Sequence, residues 1–231
     1  MEVSRRSLMV GGIAAGASGL VLGGAETAEA ATMPTLSIGA RGAAVTTLQT
    51  RLVAAKYWLG TVDGSFGPVT QQAVYAIQKA GGLKRDGVCG STTWALVNAG
   101  HQVAYGHSAG DRIEIDKSQQ VLKIIVGGKL VWALNTSTGG DYKYTYGGQT
   151  YTAHTPTGSY KVWYVYNGMQ HGRLGDLYRP RYFNGGIAVH GSGSIPPYPA
   201  SHGCCRVSNA AMDMIWAKNY MPMGRKVYVG A

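Results

Sequence analysis

Residues 187–191, Ile-Ala-Val-His-Gly, and residues 201–207, Ser-His-Gly-Cys-Cys-Arg-Val, decide how this chain folds and which chemistry it carries. A thiol beside histidines in this pattern indicates a Cys–His nucleophilic pair. In an extended chain, neighbouring side chains point to opposite faces. If Cys204 faces the site, we therefore expect Cys205 to lie in the core as a small hydrophobic residue.

The residues around Cys204 are suited to activating its thiol. A thiol with an ordinary pKa is mostly protonated at neutral pH, and a nearby imidazole and the cationic Arg206 raise the thiolate fraction. Gly203 lets the backbone approach a reacting carbonyl closely. The amides around Gly203 and Cys204 are candidate oxyanion donors.

Alternative roles for the cysteines remain open. The chain has three, Cys89, Cys204 and Cys205, so at least one thiol is free or bonded to another molecule. Zinc binding by one histidine and two cysteines is disfavoured, because adjacent cysteines are poorly spaced as ligands. A strained Cys204–Cys205 disulfide, or a dimer through Cys89, is conceivable in an oxidising compartment. We expect no metal and no cofactor.

Outward from these stretches, residues 111–231 are predicted to be mostly β. Ile113 and Ile115 alternate with charged neighbours, as in a half-buried strand. Two apolar runs flank Gly127-Gly128, which predicts a hairpin. The two runs of that hairpin are residues 121–126 and 130–134. Two further β-rich runs are residues 160–166 and 226–229, and the one good helical pattern is residues 209–220.

Two segments have no periodic apolar positions. Residues 98–110 are predicted to be a linker. Residues 141–154, rich in Gly and Tyr, are interpreted as a long loop. That loop is either a substrate-covering element or an ordinary surface loop.

An internal repetition marks residues 36–97. Residues 63–67 and 86–90 form the same Asp-Gly-x-x-Gly turn, and Asp-Gly favours a sharp reversal with positive φ. Pro68 suits the first turn of a second helix, and Ser91 is a candidate cap for a third. The pattern predicts a bundle of three short helices, with apolar faces formed by Val45, Leu48, Leu52, Ala73, Val74, Ile77, Trp94 and Val97.

The first thirty residues have the features of an export signal. Arg5-Arg6 precede an uncharged stretch, and Ala28-Glu29-Ala30 fits cleavage by a signal peptidase after Ala30. The arginine pair indicates a twin-arginine signal, with an ordinary secretory signal as the alternative. We expect the mature protein to lie outside the cytoplasm, with no transmembrane segment after cleavage.

Composition and charge exclude several classes of protein. Of 231 residues, 45% are hydrophobic and 14% are charged, which excludes wholesale disorder and predicts a buried core. The longest apolar run is N-terminal and broken by glycines, which excludes a multi-span membrane protein. The net charge is +10. Because no Lys/Arg run exceeds two residues and no nucleic-acid-binding motif is visible, we expect a general surface bias and no nucleic-acid partner.

The two opening stretches closely resemble the catalytic signature of the L,D-transpeptidase family, the penicillin-insensitive enzymes of bacterial wall cross-linking. Ser-His-Gly-Cys-x-Arg with an upstream His-Gly is the diagnostic pattern of that family. Residues 155–158 and 181–186 resemble two of its further elements, and Cys205 departs from the aliphatic residue usual there. Residues 36–97 resemble a peptidoglycan-binding three-helix domain.

This resemblance implies an α+β protein with two domains, a small three-helix bundle followed by a mostly β catalytic domain at residues 111–231. It implies that Cys204 is the nucleophile and His190 the base, with the ring oriented by a backbone carbonyl such as that of Gly191. His202 is the competing candidate for the base. The residues expected to build the site and bind substrate are Gly191, Ser201, Gly203, Arg206 and Tyr182. His154 and His171 are expected to be solvated loop histidines.

The implied function is that of an exported, wall-associated L,D-transpeptidase. It would form 3→3 cross-links between peptidoglycan stem peptides through a Cys204 thioester, with carbapenem-type β-lactams as expected inhibitors. The alternatives are an L,D-carboxypeptidase, a non-catalytic wall-binding protein and a cysteine peptidase acting on proteins. Because no proposed catalytic residue precedes residue 190, deleting residues 36–97 is expected to weaken wall binding and to spare turnover of small soluble fragments.

Overall fold

The computed structural model describes residues 33–106 and 109–230. The predicted export signal at residues 1–30 lies outside the described residues. Within them, the elements run as three helices, eleven strands, a fourth helix and a final strand. None of the helices in the described part has the length and apolar character needed to cross a membrane.

The predicted three-helix bundle is confirmed. The helices are α1 Ala43–Ala54, α2 Pro68–Ala80 and α3 Ser91–Asn98, and α2 begins at Pro68 as expected. The predicted cap of α3 is wrong: Gly90 is the N-cap, no side chain caps it, and Ser91 is the first helical residue. The eight apolar residues predicted for the helix faces are buried.

The repeated Asp-Gly turns are held by two equivalent glutamines. Gln49 Oε1 accepts hydrogen bonds from the Asp63 and Gly64 amides, and Gly64 has φ +69°. Gln78 Oε1 accepts in the same way from the amide of Gly87, where φ is +70°. Both amide nitrogens also donate to the aspartate of the turn, at 2.8 Å and 2.9 Å. Positive φ explains the glycine in each turn.

The first sheet has the strand order β3-β2-β1-β12-β6. The predicted hairpin is confirmed, with Gly127 and Gly128 at φ +57° and +78°. In this sheet β1 and β12 are parallel, and the other pairs are antiparallel. Its strands are β1 Arg112–Asp116, β2 Val121–Val126, β3 Lys129–Asn135, β6 Gly158–Lys161 and β12 Lys226–Gly230.

The second sheet contains residues 187–191, and residues 201–207 lead into its strand β11. Its order is β11-β10-β9-β7, with β8 also paired to β9, and β10 and β11 are parallel. The two sheets and helix α4 (Asn209–Ala217) contribute to one buried apolar cluster, which is the core of the β region. The strands are β7 Tyr164–Val165, β8 Met169–Gln170, β9 Leu177–Asn184, β10 Ile187–Ser192 and β11 Cys205–Ser208.

Two predictions for the β region need correction. Residues 160–166 do not form one strand. The Val162 amide donates a hydrogen bond to the Arg225 carbonyl, next to the first sheet, whereas the Trp163 amide donates to the Tyr182 carbonyl in the second sheet. The chain thus passes from one sheet to the other. Residues 141–154 are not an irregular loop but contain an exposed hairpin of β4 Lys143–Tyr146 and β5 Gln149–Thr152.

The helical bundle packs directly on the β region. Val121, Leu130 and Ala133 of the first sheet belong to the same buried cluster as the helix residues, and so does Val103 of the predicted linker. The Trp58 amide donates to the Ala133 carbonyl at 3.2 Å. The bundle therefore covers the outer edge of the first sheet.

Candidate active site

The side chains of interest lie on the two opposite faces of the parallel strand pair β10–β11. Val189 lies beside Cys205, and His190 lies beside Arg206. Val189 and Cys205 are fully buried in the core, which confirms the prediction for Cys205. His190 and Arg206 line a cleft of about 640 Å³, as does Cys204 immediately before β11.

One ring nitrogen of His190 is hydrogen-bonded, which orients the ring. Its Nδ1 lies 2.9 Å from the Gly191 carbonyl, as expected. A carbonyl only accepts, so Nδ1 carries the hydrogen and Nε2 is the free acceptor of the neutral ring. Burial lowers the pKa of His190 to about 4, with a smaller contribution from Arg206, while the Gly191 carbonyl acts in the opposite direction. His190 is therefore a neutral imidazole at physiological pH.

Gly191 lies behind His190 and not at the surface of the cleft. A side chain at this position would place its Cβ 2.7 Å from Asn209 Oδ1 and 2.8 Å from the Tyr178 ring. Gly191 therefore acts by close packing and by orienting the imidazole. The structure gives it no surface for the predicted contact with substrate.

The Cys204 thiol is sheltered by the turn between β9 and β10. Its Sγ accepts a weak hydrogen bond from the Ala188 amide at 3.4 Å and donates to the Gly186 carbonyl at 3.7 Å. Burial raises the pKa of the Cys204 thiol, although the Ala188 amide and the Arg206 charge oppose this. The expected increase in thiolate fraction is thus wrong for this state, because desolvation outweighs the nearby positive charge.

The turn before Cys204 is built by buried hydroxyl groups. Ser201 Oγ accepts from the Gly203 amide at 3.0 Å and donates to the Cys204 carbonyl. Thr155 Oγ1 donates to the Gly203 carbonyl at 2.6 Å. The Gly203 amide is therefore engaged and is not the oxyanion donor that we expected. Ser201 is buried with its hydroxyl satisfied, so it shapes the site and presents no free group to substrate.

Gly203→Ala is expected to reduce turnover about a hundredfold, because small displacements of a reacting group have large kinetic effects. Gly203 has φ +142°, and a Cβ would lie 2.9 Å from the His154 carbonyl. The expected loss of stability is about 1–3 kcal/mol. Gly193→Ala is the matched control, since Gly193 has open space around it. Steady-state kinetics and thermal melts test this, and near-wild-type turnover in Gly203→Ala would refute it.

His202 packs against the exposed hairpin. Its ring makes edge-on contacts with Tyr142 and Tyr144, at centroid distances of 5.6 Å and 4.7 Å. Burial and the Arg206 charge lower its pKa. No hydrogen bond joins His202 to Cys204 in the described part of the chain. The same holds for His190, but its ring is oriented by the Gly191 carbonyl, which favours His190 over His202 as the candidate base.

Tyr182 and Arg206 complete the wall of the cleft. The Tyr182 hydroxyl donates to Gln170 Oε1 at 2.8 Å, and burial, with a smaller contribution from Cys204, raises its pKa. The Arg206 guanidinium forms no hydrogen bond or ion pair with any residue in the described ranges. A cation without a partner in a cleft is suited to a carboxylate.

Several contributors to the site were missed in the sequence. Ala188 and Gly186 act through backbone atoms, which no side-chain pattern reveals. Thr155 belongs to residues 155–158, whose resemblance to a family element gives no indication of its role. His154 and His171 are solvent-exposed, as expected, but both line the cleft, and each pairs with an aspartate, Asp141 and Asp176 respectively.

The described residues contain no cluster of three or more His, Cys, Asp or Glu placed to hold a metal. The sequence-based expectation of no metal stays a prediction.

Comparison with known proteins identifies both parts of the chain. Residues 110–229 match the L,D-transpeptidase catalytic domain, and residues 41–97 match a putative peptidoglycan binding domain. An L,D-transpeptidase of known structure from Xylanimonas cellulosilytica DSM 15894 is 46% identical, with a TM-score of 0.82. The alignment covers 84% of this chain and 97% of that one.

Two curated proteins match over shorter segments. A probable N-acetylmuramoyl-L-alanine amidase from Bacillus licheniformis is 43% identical over 75 residues, and an uncharacterized protein from Kitasatospora aureofaciens is 43% identical over 77 residues. These segments are 32% and 33% of this chain. The matches span 21% and 62% of the length of those two proteins.

The catalytic-domain match extends over more than half of the chain, and a relative of known structure is covered almost completely. The fold and the arrangement of the cleft agree with that assignment. The chain belongs to the L,D-transpeptidase family.

Proposed function

We propose that this protein is an exported L,D-transpeptidase in which Cys204 forms a thioester with a peptidoglycan stem peptide. The observation that carries the proposal is that one cleft brings together a sheltered thiol, a neutral histidine whose Nε2 is an acceptor, and an arginine that has no partner among the described residues. The family membership supports the same assignment.

The first half-reaction begins from neutral partners. His190 Nε2 takes the thiol proton as Cys204 Sγ bonds to the carbonyl carbon before the terminal D-alanine. The amide C–N bond then breaks, and the imidazolium returns the proton to the departing amine. D-Alanine leaves, and the acyl group remains on Cys204. Within this proposal Arg206 binds an anionic end of the substrate, Tyr182 lines the cleft beside the reacting carbon, and the Cys204 amide is the remaining candidate oxyanion donor.

The second half-reaction decides which of two activities results. A side-chain amine of a neighbouring stem, attacking the thioester carbonyl, forms a 3→3 cross-link and restores the thiol. Water attacking the same carbon gives an L,D-carboxypeptidase. The exposed hairpin at residues 143–152 contacts His202 through Tyr144, and within this proposal it limits access of water to the thioester.

Release of D-alanine from tetrapeptide-stem fragments tests the proposal. We expect mass spectrometry to detect free D-alanine and, at high fragment concentration, a dimer lacking one D-alanine. Monomeric tripeptide without dimer indicates the carboxypeptidase. No release at all, with correctly folded protein, favours the non-catalytic wall-binding alternative. Cleavage of unrelated proteins favours the cysteine peptidase.

The pH profile is expected to report His190. Because its pKa is lowered to about 4, the base is already deprotonated well below pH 6. We expect kcat/KM for D-alanine release to rise through about pH 4 and to be level from pH 5.5 to 7. Circular dichroism at each pH controls for acid unfolding. A midpoint near the ordinary histidine value of about 6.5 would contradict the assignment.

We also propose that residues 41–97 bind the peptidoglycan polymer and keep the catalytic cleft near it. The +10 net charge offers a competing cause of adhesion to an anionic wall. Sedimentation with insoluble peptidoglycan at low and high ionic strength separates the two. Binding that persists in high salt supports specific recognition of the polymer. Export of the protein and its association with the wall are also part of the proposal.

A further inference from the structure

Lys79 of the helical bundle is buried and directed into the β region. It is 2% exposed, and its Nζ donates to the Gln120 carbonyl at 2.8 Å and the Thr136 carbonyl at 3.0 Å. A third bond goes to Asn135 Oδ1. Burial, with a smaller contribution from the Arg85 charge, lowers the pKa of this amine to about 6, whereas the three oxygens favour its three-donor form. A buried lysine is costly unless such partners are present.

Two of its acceptors, Asn135 and Thr136, belong to residues 135–139, which we name the strap. The third acceptor, Gln120, is hydrogen-bonded to Thr138 of the strap. The strap begins at Asn135, the last residue of β3, and Ser137 and Gly139 pair with Arg206 and Ser201 on either side of Cys204. Thr138 O accepts from the amides of Ala200 and Ser201, at 3.0 Å and 2.9 Å. Thr136 Oγ1 donates to the Arg206 carbonyl at 2.8 Å. The strap thus holds the backbone on both sides of Cys204.

Two further bonds extend the same connection. Asn135 Nδ2 donates to the Ile195 carbonyl at 3.2 Å, and the same Asn135 contacts Lys79 through its oxygen. Arg85, which follows α2, donates to the Pro197 carbonyl at 3.2 Å. The bundle therefore contacts the chain before Cys204 directly at Pro197, and it contacts the chain around Cys204 indirectly through the strap.

We propose that Lys79 is a positioning residue for catalysis, with Arg85 in a secondary part: through the strap, the helical bundle sets the position of the Cys204 segment. The bundle is then a component of the catalytic unit as well as a binding module. This inference rests on the proposed function for its kinetic readout. Its physical basis is that a packed network fixes the thiol, and a loosened one lets it leave the bonded position beside Ala188 and Gly186.

Lys79→Met tests the proposal, since it keeps the apolar stem and removes all three bonds. We expect kcat for D-alanine release to fall about tenfold or more with KM changed less than about threefold. We also expect Cys204 to be alkylated by iodoacetamide about fivefold faster or more, by peptide mass spectrometry, because its shelter is weakened. The alkylation rate needs no transpeptidase activity, so it separates failure of this inference from failure of the proposed function.

Val45→Ala is the matched control. Val45 is fully buried in the bundle, so its truncation destabilises the bundle without touching the strap. We expect kcat and the alkylation rate of this variant to stay within about twofold of wild type below its melting temperature. Equal effects in Lys79→Met and Val45→Ala would mean that Lys79 is merely structural, and unchanged values in a folded Lys79→Met would overturn the proposal.

Arg85→Gln keeps the proposal testable if Lys79→Met does not fold. Arg85 is only partly buried, and the substitution removes its bonds to the Pro197 and Ser118 carbonyls. We expect kcat to fall about threefold and Cys204 alkylation to rise by a similar factor. With Lys79→Met unfolded, a wild-type kcat and alkylation rate in Arg85→Gln would overturn the proposal.

Discussion

Cys204→Ser is expected to lower D-alanine release by at least about 10³-fold while leaving the melting temperature close to that of the wild type. A hydroxyl is a far weaker nucleophile than a thiol at neutral pH. The pKa of a serine hydroxyl is also much higher than that of a thiol, and a neutral His190 cannot compensate for this difference. Cys204→Ala is expected to be equally inactive. Because the two hydrogen bonds of Sγ within the described residues, to Ala188 and Gly186, are weak, neither change removes a strong polar interaction.

Cys205→Val is the matched control, one position along the chain. Cys205 is fully buried, so valine replaces one small hydrophobic residue with another of slightly greater volume. Most activity is expected to remain. An inactive but folded Cys205→Val beside an active Cys204→Ala would show that the nucleophile has been assigned to the wrong cysteine.

A carbapenem provides a second readout of the same thiol. We expect intact-mass spectrometry to show a single adduct on the wild type, which peptide mapping places on Cys204, and none on Cys204→Ser. Cys89 is buried, and its burial raises the pKa of the thiol to about 12, so it is not expected to react. An adduct on Cys89 would contradict the proposed chemistry.

Deleting residues 36–97 is expected to abolish turnover by destabilising the catalytic domain, in contrast to the expectation from sequence. The deletion exposes Val121 and Leu130, each worth about 1.5–3 kcal/mol when fully buried. Such losses are large against a typical domain stability of about 5–15 kcal/mol. It also uncovers the edge of β3, where Ala133 is paired with residues 56–58, and an exposed edge promotes aggregation.

The comparison is between residues 33–231 and residues 98–231. We expect the longer protein to show a cooperative melt and to release D-alanine, and the shorter one to be poorly soluble, without a cooperative transition. A soluble, cooperatively folded 98–231 fragment with wild-type kcat would restore the view that the bundle is only a tethered binding module. It would also contradict the role proposed for Lys79.

Local patterns predicted most elements, because each was set by residues close in sequence. The Asp-Gly turns require positive φ at the glycine, and helical spacing of apolar residues required a buried face in each of the three helices. Residues 141–154 escaped prediction because β4 and β5 are almost entirely exposed, so no alternation of apolar and polar side chains marks them. The run at 160–166 was misassigned because uniform β-propensity does not show where a chain changes sheets.

By itself, the sequence indicated which groups we propose to carry the chemistry: Cys204, His190 and Arg206 are side chains, and their order and spacing along the chain resemble the pattern of the family. The resemblance also implied that a backbone carbonyl such as that of Gly191 orients the His190 ring, and the structure shows this contact. Only the tertiary structure showed that the pKa of the Cys204 thiol is raised, because desolvation depends on everything packed around Cys204 and opposes the charge that the sequence displays. Only the tertiary structure joined Lys79 to the catalytic segment, because hydrogen bonds to backbone carbonyls more than forty positions away leave no pattern among neighbouring residues.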